Sequence, residues 1–251
     1  MILVQNIKST LAFLVLPFLF YGQANNEEIA YYNWFDRMLG EEYTGLYNGK
    51  QYIDPDINKI FENKHSFFLS DKVLSGSITY NGQTYYNLGI KYNLETEQVI
   101  VTLKPGAVTS VIQLIADKIT SFYIEDYKFV RLDNTLNSKH PISGFFQIIT
   151  EHPHFILYKK NKKNRKERLE DIGGSKIYYE FTTKSQYILF MDKAYHEVNS
   201  KDDFISIFPE TKQEIKSFYS TQKKIRKSDP DAFMKQLLED VIYRSISKNN
   251  L

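Results

Sequence analysis

The chain contains no cysteine, so neither a disulfide framework nor a thiol nucleophile nor a thiolate metal site is open to it. A lipid attached through a cysteine at an export cleavage site is excluded on the same ground. Glycine (11) and proline (7) are few among 251 residues, which argues against a low-complexity or disordered chain. Charge of one sign is also missing: 32 basic residues stand against 30 acidic ones, a balance with no general attraction to nucleic acid or anionic membrane. Apolar runs are short, and the longest segment, Leu11 to Phe20 (LAFLVLPFLF), is broken by Pro17. A spanning helix needs roughly 20 apolar residues.

That short run has a different meaning. Lys8 is the only charged side chain before it, and Gly22-Gln23-Ala24 follows as a small-x-small cleavage site. The order predicts a signal peptide over residues 1–24 and an exported mature chain with no transmembrane helix. With Lys8 removed, 31 basic residues face 30 acidic ones, and 227 residues remain, enough for one sizeable domain or two small ones.

What the chain has in quantity is rings, 19 Tyr and 18 Phe, which suit a β-rich core built without disulfides. Asn26 to Leu39 carries apolar residues at helical spacing, with Glu27 and Glu28 in its first turn and Gly40 as its stop, so a helix is expected there. From about Phe67 to Met191 the period is two, as at Val99, Val101 and Leu103, with turn residues at Asn81-Gly82, Lys104-Pro105-Gly106, Pro153 and Gly173-Gly174. This predicts an antiparallel meander. After Asn199 the helical period returns. Ser200 with Asp203 reads as a cap, Pro209 as a first helical position, and Asp229-Pro230 as a cap followed by proline at N1. The stripe Phe233, Leu237, Val241 is expected to pack on the sheet. The fold class expected is α+β: a curled or barrel-like antiparallel meander with an N-terminal helix over residues 25–198, followed by a helical segment over 199–251.

Tyr-Asn-Gly occurs twice, at Tyr47 and at Tyr80, and raises the question of a saccharide surface. A two-residue type I′ loop at Asn81-Gly82 would place Ile78 opposite Tyr85. A three-residue loop with Gly82 left-handed pairs Thr79 with Gln83, Ile78 with Thr84 and Leu74 with Leu88, and gathers Leu74, Ile78, Tyr86, Leu88, Ile90 and Tyr92 on one apolar face. A one-residue slip exchanges the faces, so the apolar pattern selects the three-residue loop. A four-residue loop Asn93 to Thr96 then pairs Tyr92 with Glu97 and Ile90 with Val99. On this register Tyr85 and Asn87 are left on the polar face, and they are the surface candidates.

Catalytic signatures are missing: there is no GxSxG, phosphate loop, GxGxxG or HExxH. His152-Pro153-His154 reads as a hairpin tip, and no metal or cofactor is expected. Asp54-Pro55-Asp56-Ile57-Asn58 begins like a calcium loop, but Lys59 and His65 stand where glycine and glutamate are required, so a solvated turn is expected. The basic run Lys159 to Arg168 has no interleaved aromatics and reads as a flexible, solvated loop rather than a nucleic-acid patch.

The stretch LSGSITYNGQTYYNLGIKYNLETEQVIV (Leu74 to Val101) and the segment IFPETKQEIKSFY (Ile207 to Tyr219) resemble a group of exported proteins of unknown function common in Bacteroidetes, especially flavobacteria. Ile90 stands where that group often has leucine. The resemblance implies a Gram-negative envelope setting, in the periplasm or at the outer surface, and carries over no functional residue. The function expected is non-catalytic binding or scaffolding, with an envelope protein, glycan or lipid as partner. The alternatives are a periplasmic carrier that holds an apolar ligand in a curled sheet, and an envelope glycan hydrolase with scattered carboxylates.

Overall fold

The sheet is built from two meanders that meet back to back. The computed structural model describes residues 26–39, 44–104, 109–134, 142–170 and 176–243. Residues 1–24, where a signal peptide is expected, the Pro105-Gly106 and Gly173-Gly174 pairs expected to form turns, and His140 lie outside the described residues. In the first meander β2 (Leu74–Tyr80), β3 (Gln83–Asn93), β4 (Gln98–Leu103) and β5 (Ser110–Gln113) pair in succession, and β1 (Lys50–Gln51) adds to the outside of β5. The chain then returns to the free side of β2 as β6 (Ile119–Ile124). From there β7 (Tyr127–Asn134), β8 (Ile142–His152), β9 (Phe155–Glu170), β10 (Lys176–Met191) and β11 (Ala194–Glu197) continue outward. The result is one open, curled antiparallel sheet of 11 strands with helices at both ends of the chain, an α+β fold.

Alternation sorts the rings. Phe145 and Phe146 are neighbours on β8 and go to opposite faces. Phe145 joins Tyr92, Phe122 and Phe129, and Phe146 joins Tyr158, Ile188 and Ile142. Phe122 and Phe129, paired across β6 and β7, stack at 4.8 Å, and Tyr92 meets both edge-on. Burying each such ring contributes roughly 1.5–3 kcal/mol, which explains how a cysteine-free chain holds this sheet. Asn161 and Gln147 make a buried side-chain hydrogen bond of 2.8 Å across β8 and β9.

The helices form where local signals place them. Helix α1 spans Asn26–Leu39. Ser200 and Asp203 form a reciprocal capping box for α2 (Lys201–Ile207), and Pro209 opens the turn that leads into α3 (Lys212–Thr221). Asp229 accepts from Ala232 N at the start of α5 (Pro230–Leu237), which continues as a π-helical stretch to Tyr243. Phe233 and Leu237 are buried with Phe155, Leu157, Tyr187 and Leu189 of β9 and β10, and Val241 packs at the margin. A short helix α4 (Lys223–Ser228), absent from the sequence expectations, joins α3 to α5. No helix among the described residues is long and apolar enough to cross a membrane.

Two expectations are overturned here. Lys159 to Arg168 is the centre of β9, paired with β10 residue by residue from Lys176↔Glu170 to Met191↔Phe155. Five of its charged side chains have protein partners. Lys159 binds Asp231, Lys160 binds Glu97, and Lys163 donates to the carbonyls of His65 and Phe67. Arg165 spans Asp56 and Glu95, and Arg168 bonds Glu180, which Lys64 also reaches. Likewise Asp54 makes a turn, its Oδ1 accepting from Asp56 N, but Asp56 is buried against Arg165 rather than solvated.

These contacts explain the curl. The segment between β1 and β2 covers the edge of β10 through Phe61 N to Tyr179 O and Phe181 N to Lys64 O. It then covers the end of β3 through Phe68 N to Tyr92 O. One segment thereby pairs with strands far apart in the sheet order, blunting free edges that would otherwise template aggregation.

Candidate functional site

The hairpin that raised the first question closes differently from expectation. Asn81 (φ 50°) and Gly82 (φ 80°) make a two-residue turn, pairing Tyr80 with Gln83, Thr79 with Thr84 and Ile78 with Tyr85. The register then shifts: beyond the irregularity Gly76 pairs with Leu88 and Leu74 with Ile90. The extra residue lies on β3, where Asn87 takes a left-handed φ of 55°. This bulge performs the change of face that the expected three-residue loop was to provide. Near the turn Tyr85 points to the core with Ile78 and Tyr80, and past the bulge Ile90 and Tyr92 do so too.

Tyr85 is therefore corrected from surface candidate to core residue: it is 4 % exposed, and its hydroxyl lies over Gly45, where an added Cβ would sit 3.0 Å from it. Tyr86, expected inward, is half-buried and faces a groove with exposed Asn87. The next turn keeps its expected faces but slips by two residues. Asn93 pairs with Gln98, Tyr92 with Val99 and Ile90 with Val101, because Asn93 Oδ1 accepts from Glu95 N and Thr96 N and so starts the turn one residue later.

The groove, about 670 Å³, runs over the face of β3, β2 and β6 opposite the ring core. Register builds it. Ser77 pairs with Tyr123 and Thr79 with Ser121 across β2 and β6, while Thr79 pairs with Thr84 across β2 and β3. Their partners one step along, Ile78 and Phe122, point inward, so the outer row is hydroxyl-bearing. Thr79 Oγ1 and Thr84 Oγ1 lie 3.0 Å apart. At one end Glu125 (φ 48°) and Asp126 form the β6–β7 turn, where Glu125 Oε1 accepts from Ser75 N and its own N–H donates to Ser75 O. Tyr123, 41 % exposed, and Tyr86 supply aromatic faces, and Ile29 of α1 lines the rim. On the same helix Tyr31 and Trp34 are exposed, their rings 6.1 Å apart.

Chemically this is a shallow surface of hydroxyls, one amide, two carboxylates and two tyrosines. It offers many short hydrogen-bond groups and ring faces. Of the two residues singled out from sequence, the structure places Asn87 in the groove and removes Tyr85. Tyr86, Ser77, Thr79, Ser121 and Tyr123 were missed, although the alternating Ser75, Ser77, Thr79 already carries the small-hydroxyl pattern on β2.

His152 ends β8 and His154 lies in the two-residue tip, Pro153-His154, of the β8–β9 hairpin. His152 stacks on Phe155 and meets the Tyr243 ring at 4.3 Å, so aromatic packing accounts for it. Among the described residues no three His, Asp or Glu side chains gather as a metal site. No protein-family model matches the chain, and no curated protein or solved structure matches it.

Proposed function

We propose that this chain is an exported, non-catalytic envelope protein that binds a hydroxyl-rich ligand, an envelope glycan, along the β3–β2–β6 groove. The carrying observation is the paired row Ser77–Tyr123 and Thr79–Ser121, which lines an open groove beside Asn87 and Tyr86. Convergent hydroxyls, an amide and ring faces in one concavity suit a ligand that donates and accepts many hydrogen bonds while presenting flat C–H surfaces. Export rests on the residue 1–24 pattern, and the resemblance to exported Bacteroidetes proteins supports an envelope setting in the periplasm or at the cell surface.

The carrier alternative draws no support from the inner face, which the protein's own rings Tyr92, Phe122, Phe129 and Phe145 fill. Hydrolysis draws little from the groove, whose two carboxylates are adjacent turn residues, one already bonded to Ser75 N. The test is retention of the mature protein on immobilised envelope glycans. Wild type is expected to be retained and Tyr123→Ala/Asn87→Ala to wash through. Equal retention of both, or none of either, would remove the proposal.

A further inference from the structure

A second concavity lies on the other half of the molecule and has different chemistry. It occupies about 590 Å³ between β10 and helices α3, α4 and α5. Its floor is aromatic and apolar: Tyr187, Tyr219, Phe233 and Met234, all buried in the helix–sheet core. Phe233 meets the Tyr219 ring edge-on at 4.9 Å. The rim is cationic, with Lys201, Lys216, Lys223 and Arg226 around the opening.

Three of the four nearby acids are committed elsewhere. Asp203 is tied to Ser200 in the α2 capping box, Asp229 caps α5, and Asp231 holds Lys159 and the Tyr187 hydroxyl. Asp202 is exposed beside Lys201 and, among the described residues, has no cation within 4.0 Å; with Asp203 it lies close enough to Tyr219 to act on that phenol. Among the described residues none of the four rim cations has a carboxylate within 4.0 Å, whereas Lys64, Lys160, Arg165 and Arg168 all do. Arg226 instead lies over the Tyr219 ring at 5.4 Å, leaving its guanidinium edge to the opening. Ser220 adds a hydroxyl at the rim. Four like charges around one mouth repel each other, and an anion entering it relieves that repulsion.

We infer that this cavity is a binding site for an anionic amphiphile, a phosphate-type head held by Lys216, Lys223 and Arg226 with the first carbons of its apolar stem against the exposed edges of Tyr187, Tyr219 and Met234. A bare anion gains the rim only, and a neutral amphiphile gains the floor only. The site is separate from the glycan groove in position and chemistry, and either can fail alone.

The test uses the mature protein with dodecyl phosphate, inorganic phosphate and a neutral dodecyl maltoside as probes, followed by titration calorimetry and by the methyl signal of Met234, assigned with Met234→Leu. Dodecyl phosphate is expected to bind and to shift the Met234 methyl. Inorganic phosphate, which lacks the stem, and dodecyl maltoside, which lacks the charged head, should each bind at least about tenfold more weakly. Lys223→Gln/Arg226→Gln, both at exposed positions, should weaken dodecyl phosphate by about tenfold or more with an unchanged melting temperature. A sedimentation arm with phosphatidylglycerol vesicles separates the sources. Binding lost in the double variant identifies a membrane headgroup, and no vesicle binding with dodecyl phosphate retained identifies a free amphiphile. Equal affinity for the neutral detergent, an unmoved Met234 methyl, or a double variant that binds as wild type would each overturn the inference.

Discussion

Lys160 Nζ donates to Glu97 Oε2 at 2.7 Å and to Ser143 O at 3.0 Å, directly above Gly144, whose φ is 98°. A Cβ on Gly144 would lie 2.1 Å from Glu97 Oε2 and 2.5 Å from Lys160 Nζ. The pair thus pins the β3–β4 turn to β9 through a space only glycine leaves open. Lys160 is nearly buried at 5 % side-chain exposure, and burial lowers its pKa even though Glu97 holds the charge.

Removing Glu97 strands that ammonium. Glu97→Ala should cost about 3–5 kcal/mol in urea unfolding, the usual penalty for an uncompensated buried charge. Glu97→Leu with Lys160→Met should recover much of it. Gly144→Ala should cost about 2 kcal/mol or more from the left-handed backbone and the displaced pair together.

The bulge at Asn87 makes a second prediction. A β-branched residue there must adopt a left-handed φ, so Asn87→Val should destabilise by about 1–2 kcal/mol, while Asn87→Gly should be close to neutral. Thermal unfolding of the two variants checks this, and equal melting temperatures would show that the bulge does not set the register.

The basic run offers a test by deletion. Residues 160–167 form the middle of β9, so removing them should abolish cooperative unfolding by far-UV circular dichroism. A solvated loop, as the sequence suggested, would tolerate that deletion with about 0.6 kcal/mol or less of change.

His65 should make stability sensitive to mild acid. Its Nδ1 accepts from Phe67 N, and burial first, then Lys163, lowers its pKa below the usual 6.5, with Lys91 adding to and Asp71 opposing the effect. A depressed folded pKa means that the unfolded chain takes up a proton first as pH falls. The contribution is therefore complete above about 6.5 and declines as pH drops toward the folded value. His65→Gln should flatten the pH dependence of the urea midpoint in that window.

Local chemistry was legible in the sequence, and remote partnership was not. The span of α1, the Ser200–Asp203 box and the Asp229–Pro230 start rest on neighbours within four residues, and all three hold. The Asn81-Gly82 hairpin was misread because two devices share one task. Counting faces from Leu88, Ile90 and Tyr92 back to the turn requires one extra residue, and nothing nearby says whether the turn or Asn87 supplies it. The basic run was misread because most of its partners, Asp56, His65, Phe67, Glu95 and Glu97, lie more than 60 residues upstream. The groove was half visible for the same reason. Ser77 and Thr79 are outward by alternation, but Ser121 and Tyr123 join them only because β6 returns to the free side of β2.

The central claim is that the outer face of β3, β2 and β6 is a recognition surface. Amide chemical-shift mapping of the mature protein, titrated with oligosaccharides released from Gram-negative envelopes, tests it most directly. The account predicts saturable shifts confined to Ser77, Thr79, Asn87, Ser121 and Tyr123, lost in Tyr123→Ala. Shifts elsewhere with these signals unmoved, or no saturable shift with any envelope saccharide, would contradict it.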